Sequence, residues 1–247
     1  MELIEILESF KGVTDEPSEK MKLDSLNNQF GLMAEELLYG GYFLIDNEKK
    51  IYLDDIEFYY HEEEANLMQK GVKSYSTNGL YNGKVKDPIM YHTNDHEGRE
   101  LPYYKIGRLN LHASGVDVTF ENEEKHYRAS FLIRGFHVEG EKLDLCSTHI
   151  YDEMLYMGVP LDIPIEIKWV ANPQPEEHAK PQGSPRKNVA EKYQYELYKN
   201  GSGVWKKSPT DNVPSNFPKE KYFRSSDKKI YKRCQRNWRF KKDNVLD

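Results

Sequence analysis

Glu57 and Tyr59 are the residues of this chain best placed to do chemistry, because they stand two apart in a segment that alternates. In the second half of Ile51–Tyr60, Ile56, Phe58 and Tyr60 point one way while Asp55, Glu57 and Tyr59 point the other, the period of a half-buried strand. Side chains two apart on a strand lie about 6 to 7 Å apart. A carboxylate beside an aromatic ring at that spacing can hold a water and a flat ligand together. The same residues also fit a polar strand face with a solvated glutamate, since Asp and Glu are mostly exposed in folded proteins. Arg134 follows the apolar run Phe131–Ile133, where an unpaired guanidinium would be costly, so it should meet a carboxylate; Glu57 and Asp117 are both available. His92 ends the compact patch Asp87–His92, and a histidine in a loop is as readily a structural residue as a ligand.

The elements that must position these groups read as an α+β fold: a single domain on a curved, mainly antiparallel sheet, with flanking helices and long loops. Residues 1–23 are polar and read as an extended or loosely packed arm, and residues 24–247 as the domain. Leu26, Phe30, Leu32, Met33 and Leu37 recur at helical spacings, which predicts a helix from about Asp24 to Leu38 capped at Asp24 or Ser25 and ended by Gly40 and Gly41. Tyr42–Ile45 and Ile51–Tyr60 then form a hairpin. Residues 61–107 read as a long excursion, a class of loop that is usually functional or disordered. Alternation predicts strands over 108–112, 116–121 and 127–134, with a bulge or close backbone approach at Gly115. Further along, a short helix is expected from Leu143 to Met157, a strand over Ile163–Val170 and a helix around Asn188–Tyr198.

With 247 residues the chain can bury a sizeable core. Its hydrophobic share of 38%, charged share of 31% and mean hydropathy of −0.84 exclude a helical membrane protein. The amino terminus lacks the basic flank and apolar core of a signal peptide, so a cytoplasmic setting is expected. Cys146 and Cys234 have no CxxC spacing, and neither a disulfide framework nor a cysteine-rich zinc site is predicted. The net charge of −6 conceals an asymmetry: residues 184–247 hold 17 basic against 7 acidic side chains, leaving −16 for residues 1–183. A basic carboxyl-terminal segment carrying Trp205, Tyr222, Tyr231 and Trp238 fits a polyanion-binding face, and fits equally a solvated tail pinned by aromatic anchors.

Several segments, in order, resemble the alkyladenine (3-methyladenine) DNA glycosylases. Met33–Leu38 followed by Gly41–Ile45 is similar to that family's helix and first strand, and Ile56–Tyr59 resembles its Thr-Glu-Ala-Tyr signature. Met90–His92 falls where the family has a pocket histidine, Ala129–Arg134 looks like the strand with the buried arginine, and Ser184–Arg186 and Asn237–Phe240 resemble late Gly-Pro-Arg and Trp-Arg-Phe segments. The resemblance implies a DNA glycosylase that flips a modified base out of the duplex and hydrolyses its N-glycosidic bond with an activated water, needing no metal or organic cofactor. Glu57 would be the base, positioned by Arg134; Tyr59 would stack on the extruded base and His92 would hydrogen-bond it. Ser114, Arg186, Lys187, Arg236 and Arg239 would contact double-stranded DNA, and a monomer is expected. Where the family has a stacking ring and a wedge, this chain has Leu111 and Ser114. Leu111 would widen the pocket, and Asn110, His112, Asp117 and Glu121 would add polar groups, so the expected substrate is a bulky or hypermodified base of the kind phage genomes carry, glucosylated bases included, in repair or anti-phage defence. A catalytically silent reader of modified DNA is the alternative, as is ordinary alkylpurine excision.

Overall fold

A computed structural model describes residues 1–63, 80–81, 83–87, 90, 92–94, 100–112, 115–141, 145–147, 149–155, 164–173, 177–186, 195–199, 205–209 and 236–242. Its centre is a curled antiparallel sheet, backed by helices on one face. The strands are β1 (Gly41–Ile45), β2 (Lys49–Glu62), β3 (Leu80–Tyr81), β4 (Lys84–Val85), β5 (Leu109–His112), β6 (Gly115–Thr119), β7 (Tyr127–Val138), β8 (Leu145–Cys146), β9 (Ile167–Ala171), β10 (Tyr195–Lys199), β11 (Trp205–Pro209) and β12 (Arg239–Lys241). Three helices among the described residues accompany them: α1 (Leu3–Glu8), α2 (Glu19–Tyr39) and α3 (Ile150–Leu155). Along the main sheet the order is β5-β6-β7-β2-β1-β9, with β12 added on β2 and β8 on β7.

β2 and β7 are the long central pair, in register from Ile51 opposite Val138 to Glu62 opposite Tyr127. A bulge between Leu53 and Ile56 interrupts them and bends the sheet. The β1–β2 hairpin turns through Asp46 and Asn47, whose φ angles of 49° and 60° are those of the type I′ turn that suits twisted strands. Gly41 begins β1 because nothing larger fits: a Cβ there would lie 2.5 Å from the Val170 carbonyl oxygen and 2.6 Å from the Trp169 ring.

The helical face is apolar. Ile56, Phe58 and Tyr60 of β2 and Ala129, Phe131 and Ile133 of β7 pack there against Leu26, Phe30, Met33 and Leu37 of α2. Phe30 is stacked between Phe10 and Phe58 at 5.4 and 4.5 Å. Residues 1–23 are therefore not a loose arm. Ile6, Leu7, Phe10 and Val13 are fully part of the core, and the Val13 N–H donates to the Tyr60 hydroxyl at 3.3 Å. α2 begins at Glu19 rather than Asp24, because the Ser18 hydroxyl accepts from the Met21 N–H and caps it.

Further on, the expected helix over Leu143–Met157 is the two-residue strand β8 followed by α3, and the strand expected from Ile163 starts at Ile167. The helix expected around Asn188–Tyr198 is replaced, in its described part, by β10, which pairs antiparallel with β11. Tyr195, Leu197 and Lys199 alternate with Glu196 and Tyr198, and that period of two outweighs the helical reading. No helix among the described residues is long and apolar enough to cross a membrane.

Candidate functional site

The face of the sheet turned away from the helices carries charge. Odd-numbered residues of β2 from Asp55 onward, continuing to Glu63, point there, and so do Arg128, Ser130, Leu132 and Arg134 of β7. One row crosses five strands, from Asn110 on β5 through Asp117, Leu132 and Glu57 to Arg239 on β12. This outer face is buried too, so each charge on it must find a partner. Asp55 takes the Arg239 guanidinium at 2.7 Å, Glu57 takes Arg134, and Glu63 takes Arg128 at 2.6 Å.

Glu57 is 0% exposed. Arg134 donates to both of its oxygens, Nε to Oε2 at 3.1 Å and Nη2 to Oε1 at 3.0 Å, the two-pronged geometry that suits guanidinium and carboxylate. The Tyr59 hydroxyl donates to Oε1 of Glu57 and accepts from Arg134 Nη2 at 3.2 Å. Burial, then the Glu57 charge, push the Tyr59 hydroxyl well above its usual pKa, so it stays a donor. Burial opposes the Arg134 charge, but Tyr59 and Glu57 outweigh it and raise its pKa. Arg186 stacks its guanidinium 5.1 Å from the Tyr59 ring and 5.3 Å from Trp238, and is itself neutralised by Asp87, with Nη2 3.3 Å from Oδ1.

A second cluster lies further along the same face. Arg128 donates to Glu63 through Nε at 2.6 Å and to Glu121 through Nη1 at 3.0 Å, and also to the Leu101 and Pro102 carbonyls at 2.7 and 2.9 Å. Glu121 also accepts from the Tyr104 N–H at 2.7 Å, and Glu63 from the Asn94 N–H at 2.8 Å. One guanidinium thus serves two carboxylates. His92 stacks on Tyr104 at 3.8 Å, with Nε2 3.7 Å from Glu121 Oε1. Neither of these two atoms, nor Glu63 Oε2, has a hydrogen-bond partner among the described residues. Burial, against Arg128, pushes Glu121 up to about 7; burial and the Arg128 charge lower His92 to about 4. At neutral pH the imidazole is an acceptor and the carboxyl is close to half protonated.

Arg134 pairs with Glu57, while Asp117 meets His112 at 3.3 Å. Glu57, Tyr59 and Arg134 converge, and Asp117 shares their face two strands away, about 10 Å from Glu57. His92 does not join them: it lies against Glu121, whose partner Arg128 stands opposite His61, four residues along β2 from Glu57, and it belongs to the second cluster. Leu111 is also misplaced by the expectation. It lies opposite Val116 on an edge strand, on the reverse face from Asp117 and Glu57, and is 51% exposed. Arg186 and Arg239, expected at the DNA backbone, are both buried and bound to Asp87 and Asp55. Arg236 sits half-buried with its guanidinium 5.9 Å from Trp238. Ser114 and Lys187 lie outside the described residues.

Arg128, Asp55 and His61 are residues of this face to which the sequence reading assigns no role in the site. Arg128 carried the same signal as Arg134, a guanidinium in an apolar strand. Its parity with Arg134, six residues on, places both on one face. Among the described residues no group of three or more His, Cys, Asp or Glu is arranged to hold a metal ion. Comparison of the chain with protein-family models, with curated proteins and with solved structures finds no match to any of them.

Proposed function

We propose that this chain is a monofunctional DNA glycosylase, in which Glu57 activates a water for attack on C1′ of a flipped nucleotide carrying a modified base. The observation that carries this reading is the buried Glu57 carboxylate, gripped at both oxygens by Arg134 and touched by the Tyr59 hydroxyl. N-glycoside hydrolysis passes through a positively charged, oxocarbenium-like state, which a fixed carboxylate stabilises and which a base can serve by taking the proton of the incoming water. Arg134 holds the carboxylate in one orientation. The leaving base would lie over the outer face, beside Tyr59 and toward Asp117. Asp117 Oδ1 and Ser130 Oγ are buried there with no hydrogen-bond partner among the described residues, so they favour a base whose substituent brings hydrogen-bond donors. This replaces the pocket enlargement expected from Leu111, which faces away. Glu57 is fully buried, with the Asp87–Arg186 pair against the neighbouring Tyr59 ring, so the site must open for a nucleotide to enter.

The same closure favours one other reading, a modified-DNA-binding protein without turnover, since a carboxylate this fully bonded also suits a structural ion pair. Incubation with unmodified, alkylated and glucosylated duplexes, scored for abasic sites, separates the two. A glycosylase releases base from a modified duplex, and Glu57→Gln stops release while DNA is still bound. Binding with no abasic sites from any duplex would overturn the enzymatic reading.

A further inference from the structure

A cavity of about 540 Å³ opens on the outer face at the far end of β2 from Glu63. It forms because β1 and β12 both pair with the same edge of β2, β1 at residues 49–51 and β12 at 55–57, and part from each other between those stretches. Its volume lies within the roughly 300 to 1,000 Å³ typical of small-molecule sites. Tyr39, Tyr52 and His137 line it with rings. Both tyrosines are held in place by imidazoles, Tyr39 stacked with His178 at 3.7 Å and Tyr52 with His137 at 5.1 Å, so little side-chain entropy remains to be lost on binding.

Polar groups are set among these rings. The Lys242 ammonium lies 5.7 Å from the Tyr39 centroid and 5.8 Å from the Tyr52 centroid. It is tethered by the Lys242 N–H donating to the Asp54 carbonyl at 2.9 Å and by an ion pair to the Asp54 carboxylate at 3.4 Å. An ammonium has three donors and Asp54 occupies one. On another wall the Glu139 carboxylate accepts from the Tyr52 hydroxyl at 3.4 Å and from Lys50 at 2.8 Å.

We propose that this cavity is a nucleotide-binding site separate from Glu57, taking a nucleobase against the Tyr52, Tyr39 and His137 rings with its phosphate on Lys242. The ligand class follows from the lining. Rings offer π-faces that any base can stack on, the ammonium suits an anion, and the Glu139 carboxylate accepts from an exocyclic amine. A neutral sugar would use the rings and the carboxylate but not the ammonium, and a fatty chain would use none of the polar groups. The site lies five residues along β2 from Glu57, at most about 17 Å, on the same face. The inference stands on the cavity and holds whether or not Glu57 is catalytic.

The test is calorimetric titration of the full-length chain with dAMP, dGMP, dCMP and TMP, with deoxyribose 5-phosphate and glucose as controls. At least one mononucleotide should bind saturably at or below low-millimolar concentration, and both controls should bind more weakly. Lys242→Ala and Tyr52→Leu should each weaken binding by about tenfold, within the range of losing one base–aromatic contact. Glu57→Gln should leave it unchanged, which separates this site from the proposed catalytic one. Thermal melting of each variant checks folding, and Lys242→Gln provides a milder change should Tyr52→Leu fail to fold. The proposal is overturned if no mononucleotide saturates, if the sugar phosphate binds as well as the nucleotides, or if binding is lost in Glu57→Gln but kept in both Lys242 variants.

Discussion

The two buried ion clusters on the outer face share a sheet and a degree of burial, but differ in how charge is balanced. At Glu57 one carboxylate meets one guanidinium, and every donor that Arg134 and Tyr59 bring to it is used. At Arg128 one guanidinium is divided between Glu63 and Glu121, and three acceptor atoms are left without partners. A balanced pair in a dry site holds its protons firmly. In the unbalanced cluster burial outweighs the shared Arg128 and moves Glu121 up to about 7, while burial and the Arg128 charge lower His92 to about 4. The group titrating near neutrality thus stands apart from Glu57 on the same face. Perturbed titration marks functional sites only in probability, because structural ion networks produce it as well. Arg128 ties the 92–94 and 100–105 segments to the sheet, so a structural role accounts for much of that cluster.

The sharpest way to break this contrast is to remove each guanidinium. Arg128→Met leaves two carboxylates buried and frees two carbonyls, so it should cost about 4 to 5 kcal/mol in urea unfolding or prevent folding outright. Arg134→Met leaves one carboxylate that Tyr59 still serves and should cost less, about 3 kcal/mol. Equal losses would mean that the imbalance has no energetic meaning. Glu57→Gln should lower base release by about 10²-fold or more while changing little at Glu121. A Glu121→Gln protein that loses as much turnover as Glu57→Gln would move the chemistry to the second cluster.

The pH dependence of stability sharpens the contrast further. Glu121, raised from 4.5 to about 7, contributes stability that is complete below pH 4.5 and is lost as pH rises through about 7. His92, lowered from 6.5 to about 4, contributes stability that is present above pH 6.5 and is lost as pH falls through about 4. Between these limits folding moves one proton from the imidazole to the carboxyl, and the two slopes largely cancel. Glu121→Gln should unmask a stability that rises from pH 4 to 6.5, and His92→Phe one that falls from pH 4.5 to 7. Denaturation midpoints measured across that range would show either slope, and a flat profile in both variants would refute the coupling. The smallest effect is expected at Leu111→Ala, within about 0.5 kcal/mol and without change in substrate choice, because that side chain lies on the reverse face.

Much of the site's address was readable in the residues. The alternation around Glu57 placed it with Tyr59 on one strand face, and an arginine after Phe131–Ile133 demanded a carboxylate. What hid the second cluster was its composition. His61–Glu64 is charged throughout and reads as the start of a loop, yet β2 runs on through Glu62 because Lys22 from α2 and Arg128 from β7 neutralise Glu62 and Glu63. In the same way Ile6, Leu7, Phe10 and Val13 sat beside the polar stretch Asp15–Lys20, which made a core segment resemble an arm.

Local order in the chain settled periodicity: which residues share a strand face, where the hairpin turns, and that the central strands are antiparallel. Such features depend on neighbours two to four positions apart, and those are written in the sequence. Pairing of charges was decided only by the tertiary structure. Arg134 had two candidate carboxylates and took Glu57, Arg239 and Arg186 went to Asp55 and Asp87, and His92 settled against Glu121. Each choice joins residues between 29 and 184 positions apart, and no local pattern ranks such partners, because the desolvation that makes one pairing better than another exists only once the sheet has closed over them.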